Sequence, residues 1–319
     1  MKKIAVLTTG GDAPGMNAAI RAVVRCALNR KVEIIGVFRG WSGLINEELK
    51  ILDSRSVSGI INQGGTILKT ARCPEFGQPS NQQRAFEVIK KYNIEGMIVI
   101  GGNGSFAAAH KFYLKYKIPC VGIPVSIDND INGIDVTIGV DTAVNTALCA
   151  IDNIRDTATS MERIFVVEVM GRECGFIALS VALAGGCEDV IIPEMPFNLE
   201  ETCHRIVEGN LRGKISWIIV VAEGAAKAED IAKQITDMTS LETRTVVLGH
   251  IQRGGRPTAF SRDLALRLGK EAVDCLLAGE ADKVVGFSGS KIITVDFATA
   301  IQKKDLKIAQ MYDLIKILT

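Results

Sequence analysis

The sequence predicts an α/β protein built on mostly parallel sheets. Short β-branched runs alternate with longer segments of helical period, the runs are apolar throughout instead of alternating with polar residues, and glycines collect where the runs end. Uninterrupted apolar strands joined by helices are the pattern of a sheet covered on both faces. In chain order, residues 4–7 read as a strand, followed by a glycine turn and a helix over about 16–29, then a strand at 32–37. Further strands are predicted at 97–100, 120–123, 164–169, 190–192, 217–221 and 245–248. Helices are predicted between them at 105–116, 142–157, 174–184, 199–211 and 228–238. A long helix over 258–278 can return to either half, so a discontinuous domain fits the pattern. The best candidate boundary is the loop Ser126-Ile127-Asp128-Asn129-Asp130-Ile131-Asn132-Gly133, after which the alternation restarts.

Composition narrows the classes. The 319 residues suit about two domains of ~150 residues. A net charge of +1 gives no basis for general attraction to nucleic acid or anionic lipid, so anion binding must be local. Hydrophobic residues at 47% and charged residues at 23% fit a globular protein with a substantial core and exclude extensive disorder. The apolar start of the chain is too short for a secretory h-region, and the longest apolar stretch, residues 174–187, falls short of the ~20 residues of a membrane span. Eight cysteines without a C-x-x-C pair, mostly in apolar runs, read as reduced, buried thiols of a cytoplasmic protein. Three histidines without ligand spacing argue against a zinc cluster.

Four constellations carry the chemistry. Thr8-Thr9-Gly10-Gly11-Asp12-Ala13-Pro14-Gly15-Met16-Asn17 joins a strand to a helix. Adjacent glycines let backbone N–H groups approach an oxyanion, and the helix N-terminus adds a favourable dipole end. The turn lacks the lysine of a P-loop, and a plain tight turn is the competing explanation. A second turn, Gly101-Gly102-Asn103-Gly104-Ser105, has the same setting and loosely fits a dinucleotide fingerprint with Ala107. No placed hydride-transfer residues accompany that fit, so a dehydrogenase is disfavoured. In Asp128-Asn129-Asp130 one carboxylate can accept a proton from a hydroxyl while the other orients a cation, although turn-forming Asp and Asn explain the same letters. Finally, Arg72, Arg163, Arg172, Arg244, His250 and Arg253 follow apolar strands, where guanidinium forks suit phosphate oxygens. Arg21 and Arg25 share a helix face, and Arg212-Gly213-Lys214 precedes a later strand; spacing alone gives only weak support for a second anion site there.

Taken with Thr70-Ala71-Arg72-Cys73-Pro74-Glu75-Phe76, Val169-Met170-Gly171-Arg172 and Leu248-Gly249-His250-Ile251-Gln252-Arg253-Gly254-Gly255, these motifs make the chain resemble the bacterial ATP-dependent 6-phosphofructokinases over essentially its full length. The resemblance implies two similar three-layer α/β domains. These are a larger nucleotide-binding domain (1–138 plus 251–301) and a smaller sugar-phosphate domain (139–250 plus 302–319), with the active site in the cleft between them and a homotetrameric assembly. It implies ATP as phosphoryl donor, fructose 6-phosphate as acceptor and Mg2+ as cofactor. Asp128 matches the base for the C1 hydroxyl, while Gly11, Arg72 and Arg172 match groups around the transferring phosphoryl. Cys73, Gly102, Asn103, Gly104 and Ser105 match nucleotide contacts, with Asn103 and Asp130 toward the metal. Ser126, Met170, Gly171, Glu223, His250 and Arg253 match sugar-phosphate contacts, joined by Arg163 and Arg244 from a neighbouring subunit. Arg21, Arg25, Arg155, Glu188, Arg212 and Lys214 fall on an effector site for ADP or phosphoenolpyruvate.

The chain departs from the family pattern in places. Asn103 replaces an aspartate, removing a charge near the metal, and Val125 replaces a glycine, which should add bulk near the nucleotide phosphates. Ala108, Phe176, Trp41, Met161, Arg256 and Ser261 are further replacements, and Ser54, Arg55 and Gly59 alter the effector region. Pyrophosphate-dependent relatives carry aspartate at the Gly104 position and lysine at the Val125 position; neither occurs here, which favours ATP. The alternative is a diverged paralogue of weak or absent kinase activity, serving as a ligand-binding or regulatory subunit.

Overall fold

The computed structural model describes residues 1–306 and 308–318, so Lys307 and Thr319 of the expected second domain lie outside the described residues. The chain divides into two compact units, Met1–Thr142 with Arg253–Lys304, and Ala143–Gln252 with Asp305–Thr319.

In the first unit the chain runs through β1 (Lys3–Thr8), α1 (Met16–Asn29), β2 (Glu33–Val37), α2 (Gly40–Ile45) and β3 (Leu49–Leu52). It continues with α3 (Pro79–Lys91), β4 (Met97–Gly101), α4 (Asn103–Tyr116), β5 (Cys120–Ser126) and β6 (Ile138–Gly139). The second unit is entered within α5 (Val140–Met161) and holds β7 (Ile164–Val169), α6 (Phe176–Gly185), β8 (Asp189–Ile191), α7 (Leu199–Leu211), β9 (Trp217–Ala222), α8 (Ala228–Thr239) and β10 (Thr243–Val247). The chain returns to the first unit for α9 (Ala259–Leu277), β11 (Lys283–Ser288), β12 (Lys291–Asp296) and α10 (Phe297–Ala300), and α11 (Ile308–Leu318) belongs to the second.

Among the described residues the first unit carries one sheet in the order β12-β11-β5-β4-β1-β2-β3, with β6 beside β5. Its interior pairs are parallel, and the antiparallel pairs β2–β3 and β11–β12 close its two edges. Ile4, Ala5, Val6 and Leu7 of β1 are fully buried, which explains their uninterrupted apolar run. On one face Trp41 stacks on Phe76 with ring centroids 4.4 Å apart, and Phe112 lies 5.7 Å from Phe76. Elsewhere in the unit α9 lies so close to α1 that a Cβ on Gly269 would sit 2.5 Å from the Ala22 Cβ. The second unit has the order β10-β7-β9-β8, parallel throughout, with β10 at an edge.

Several elements differ from the pattern-based expectation. Helix α3 is missing from it because the segment is polar apart from a narrow buried stripe of Ala85, Val88 and Ile89. Edge strand β3 is mostly exposed, so it shows no apolar run. The strand expected at 120–123 continues through Pro124 to Ser126, and the helix expected from residue 174 begins at Phe176. The expected boundary loop at 126–133 lies inside the first unit, where Thr137 Oγ1 donates to the Ser126 carbonyl at 2.6 Å and Lys304 Nζ to the Asn129 carbonyl at 3.0 Å.

Candidate active site

Strand order places the first unit's site. From β1 the chain steps to β2 on one side, whereas β4 leads to β5 on the other, so the order reverses between β1 and β4. Ligands of open α/β sheets bind outside the carboxyl ends of strands at such a reversal. The register Thr8↔Ile100 sets the two glycine turns side by side there, and Gly101↔Pro124 brings the Asp128 loop next in line.

Side chains then join these loops. Ser105 Oγ donates to the Thr9 carbonyl at 3.0 Å, tying the second turn to the first. The approach is so close that a Cβ on Gly101 would meet Ser105 Oγ at 2.5 Å, which accounts for the glycine. Gly15, at φ +107°, opens helix α1, and Gly102 caps α4, so both helix N-termini rise from these turns. Thr70 Oγ1 donates to the Gly10 carbonyl at 2.9 Å and anchors the segment carrying exposed Arg72 and half-buried Cys73. Desolvation, with the neighbouring Glu75 carboxylate, pushes the Cys73 thiol up to about 11, so it stays protonated at neutral pH. Arg253 Nη1 donates to the Asp12 carbonyl at 3.2 Å and lies 2.8 Å from where a Cβ on Gly11 would be.

Asp128 is 6% exposed. Its loop is held by Asn129, which occupies the left-handed region at φ 55° and whose Nδ2 donates to the Asp135 carbonyl at 3.0 Å. Ser126 Oγ donates to Asp130 Oδ1 at 3.0 Å, and Asn103 Nδ2 donates to Asp130 Oδ2 at 2.8 Å. Asn103 Oδ1 is buried and has no hydrogen-bond partner among the described residues, so an oxygen of the kind a hard cation accepts lies next to the Asp130 carboxylate. That donor set fits a magnesium ion that keeps most of its water or phosphate ligands. Among the described residues, no group of three or more His, Cys, Asp or Glu is arranged to hold a metal.

Val125 corrects an expectation. It is 2% exposed and pairs with Ile138 of β6, so its side chain adds to the packed interior and leaves the open edge uncrowded. Alternation along the strand puts Ser126, not Val125, toward the loop. Ala108 packs against the core cluster of the first unit, and Trp41 is buried in it.

In the second unit Met170, Gly171 and Arg172 turn sharply after β7, with Gly171 at φ +146° and Arg172 at φ 52°. Glu223 Oε1 accepts from the backbone N–H groups of Gly171 at 3.3 Å and Arg172 at 3.1 Å, so this expected sugar contact also fastens the turn. Gln252, fully buried, accepts from Met170 N at 3.4 Å and donates to the Gly249 carbonyl at 3.1 Å, holding the turn that bears exposed His250. Arg163 Nε donates to Glu242 at 2.9 Å, and Arg244 pairs with the same carboxylate. Burial works to raise the Glu242 carboxyl, but hydrogen bonds from both arginines outweigh it and hold the group below its usual range.

Of the expected effector residues, the second unit gathers Arg155, Glu188 and Lys214. Glu188 is 7% exposed, accepts from Ile218 N at 2.7 Å, and lies 3.3 Å from Lys214 Nζ and 3.9 Å from Arg155. Arg212 instead pairs with Glu208 at 3.6 Å. In the first unit Arg21 donates to the Val57 carbonyl at 2.9 Å, and Arg25 is exposed. Phe176 opens α6, whose N-cap Gly175 donates its N–H to Glu194 Oε1 at 2.7 Å. Thr70, Thr137, Gln252 and Lys304 are positioning groups that the sequence did not single out, because each acts through backbone atoms of distant segments.

A doubly wound sheet with two glycine turns flanking its order reversal defines an α/β protein suited to phosphate-bearing ligands. Comparison with known proteins narrows this class. The chain belongs to the phosphofructokinase family, whose model matches residues 3–276. It is 50% identical over its whole length, and that of the relative, to the ATP-dependent 6-phosphofructokinase of Clostridium acetobutylicum. It is 53% identical over 301 residues, 94% of each chain, to ATP-dependent 6-phosphofructokinase 1 of Clostridium perfringens. Among solved structures, phosphofructokinase from Saccharomyces cerevisiae superposes with a TM-score of 0.88 at 33% identity, covering 100% of this chain and 48% of that one. The fold is shared as well by the pyrophosphate-dependent phosphofructokinase of Marinobacter aquaeolei, with a TM-score of 0.85, 24% identity and coverage of 100% of this chain and 91% of that one.

Proposed function

We propose that the chain is an ATP-dependent 6-phosphofructokinase, a glycolytic transferase that moves the γ-phosphoryl group of ATP to the C1 hydroxyl of fructose 6-phosphate. The observation that carries this reading is full-length identity of about half to relatives named for that activity. Beside it stands a buried aspartate next to two glycine turns.

Asp128 accepts the C1 hydroxyl proton as the hydroxyl oxygen attacks the γ-phosphorus; the bond to the bridging oxygen breaks and ADP leaves with that oxygen. Backbone N–H groups of the Gly10-Gly11 and Gly102–Ser105 turns, with the N-termini of α1 and α4, receive the nucleotide phosphates. Arg72 and Arg172 balance charge on the transferring group, with Cys73 alongside the nucleotide. Asn103 and Asp130 are the residues that would hold magnesium, which neutralises phosphate charge when bound with the nucleotide. Glu223 takes sugar hydroxyls. His250 and Arg253 take the 6-phosphate, joined by Arg163 and Arg244 of a neighbouring copy in a homotetramer. Arg155, Glu188 and Lys214, with Arg21, Arg25 and Arg212, suit ADP or phosphoenolpyruvate as effectors. A cytoplasmic location goes with this reading; among the described residues no helix is long and apolar enough to cross a membrane.

A coupled assay with ATP, magnesium and fructose 6-phosphate tests the reading. Turnover in the usual kinase range of about 1–100 s⁻¹ is expected, with pyrophosphate a poorer donor. Faster turnover with pyrophosphate would reverse the donor assignment. Silence with both would leave a diverged, non-catalytic paralogue.

A further inference from the structure

Asn103 stands at the first position of α4, and its Nδ2 donates to two oxygens of one residue, the Asp130 carbonyl at 3.1 Å and Asp130 Oδ2 at 2.8 Å. Both partners are acceptors, so only the NH2 end of the amide can face them. The other Asp130 oxygen accepts from Ser126 Oγ at 3.0 Å, and that same Oγ accepts from the Asp128 backbone N–H at 3.2 Å. An unbroken set of hydrogen bonds therefore runs from the second glycine turn into the backbone of the base. Elsewhere the loop is tied by Thr137, Lys304 and the Asn129 side chain, while toward the second glycine turn Asn103 supplies two bonds to Asp130.

A neutral amide at this position matters because of what it faces. An aspartate here would set a second carboxylate at hydrogen-bond distance from Asp130, and two anionic oxygens so placed separate unless a cation lies between them. With the amide, the contact is attractive by itself. The buried Oδ1, lacking a partner among the described residues, is left to accept from a ligand.

We propose that Asn103 is a positioning residue that sets Asp128 through Asp130 and Ser126, and that its amide lets this loop keep its shape with no divalent cation bound. The proposal rests on the kinase reading only for what Asp128 does; the clamp itself is a property of the protein without substrates.

Hydrogen exchange of the amides of residues 126–130 tests it, in the full-length protein without nucleotide, with and without magnesium chloride. In the wild type the loop is protected equally in both conditions. Asn103→Ala should raise exchange about tenfold in both, the size of one net hydrogen bond to a charged group. Asn103→Asp should exchange fast without magnesium and return toward wild-type protection with it. In steady-state assays Asn103→Ala should lose about tenfold in kcat while KM for fructose 6-phosphate moves less than about threefold. Wild-type protection in Asn103→Ala, or magnesium protecting the wild type as strongly as Asn103→Asp, overturns the proposal. If Asn103→Asp does not fold, Asn103→Ala decides alone, since it removes the amide without adding charge. An inactive wild type with a protected loop overturns the kinase reading and leaves the clamp standing; an active wild type with an unprotected loop does the reverse.

Discussion

Asp128 is the residue proposed to take the proton, and its surroundings show why it is held so firmly. It is buried, its own N–H is bonded to Ser126 Oγ, and Asn129 beside it adopts a left-handed conformation stabilised by side-chain bonds to residues 135 and 137. In the proposed role, a base so fixed would remove a proton without first reorganising its loop. Asp128→Asn keeps the shape and the backbone bond while deleting the basic oxygen. Steady-state kinetics should show kcat lower by about 10²–10⁴, with the sugar-phosphate KM changed only a few-fold; an unchanged kcat would remove Asp128 from the role. The residue types around it were legible in the sequence because glycine pairs and paired carboxylates carry a direct chemical meaning. What Val125 does was not legible. Whether a strand-end side chain meets solvent or core depends on which face of β5 it occupies and on the pairing with Ile138, and neither is a local property.

At the scale of elements, most parallel interior strands could be read from their apolar runs because burial on both faces leaves no alternation to confuse, although the interior strand β11 went unread. The edge strands β3 and β12 and the polar helix α3 escaped that pattern, since each is covered on one side at most and so writes little hydrophobic signal. The pairing of α1 with α9 also could not be anticipated, as the two are more than two hundred residues apart in the chain. It depends on Gly269, where a Cβ would stand 2.5 Å from Ala22 Cβ and 3.1 Å from the Ala19 carbonyl oxygen. Backbone on a packed helix cannot swing aside as a long side chain can. Gly269→Ala should therefore cost about 1–3 kcal/mol in forced separation, partly offset by about 1 kcal/mol of helix propensity. Thermal melting should register the net loss as a drop of a few degrees, roughly 2–4 °C per kcal/mol. A variant melting at or above the wild type would show that the two helices have room to part.

For the whole molecule, the open question is whether one chain is enough for activity. In the second unit Arg163 and Arg244 converge on the single carboxylate of Glu242, and Arg244 lies on β10, the edge strand. Met161, Val247 and Ile251 nearby in sequence are 50%, 49% and 57% exposed, a cost in solvated apolar surface that association would relieve. If the two arginines serve the sugar phosphate of a neighbouring copy, a site needs Asp128 from one chain and Arg244 from another. Two individually inactive variants, Asp128→Asn and Arg244→Ala, would then each hold what the other lacks. Randomly mixed oligomers formed by co-expression place an intact Asp128 with an intact neighbouring Arg244 in about one site in four, by symmetry of the assembly. Activity of the co-expressed pair should accordingly reach roughly a quarter of wild type per chain, well above the separately purified variants mixed without subunit exchange. No recovery on co-expression would mean that each copy completes its own site, and that the arginine pair on Glu242 is a local brace for β10.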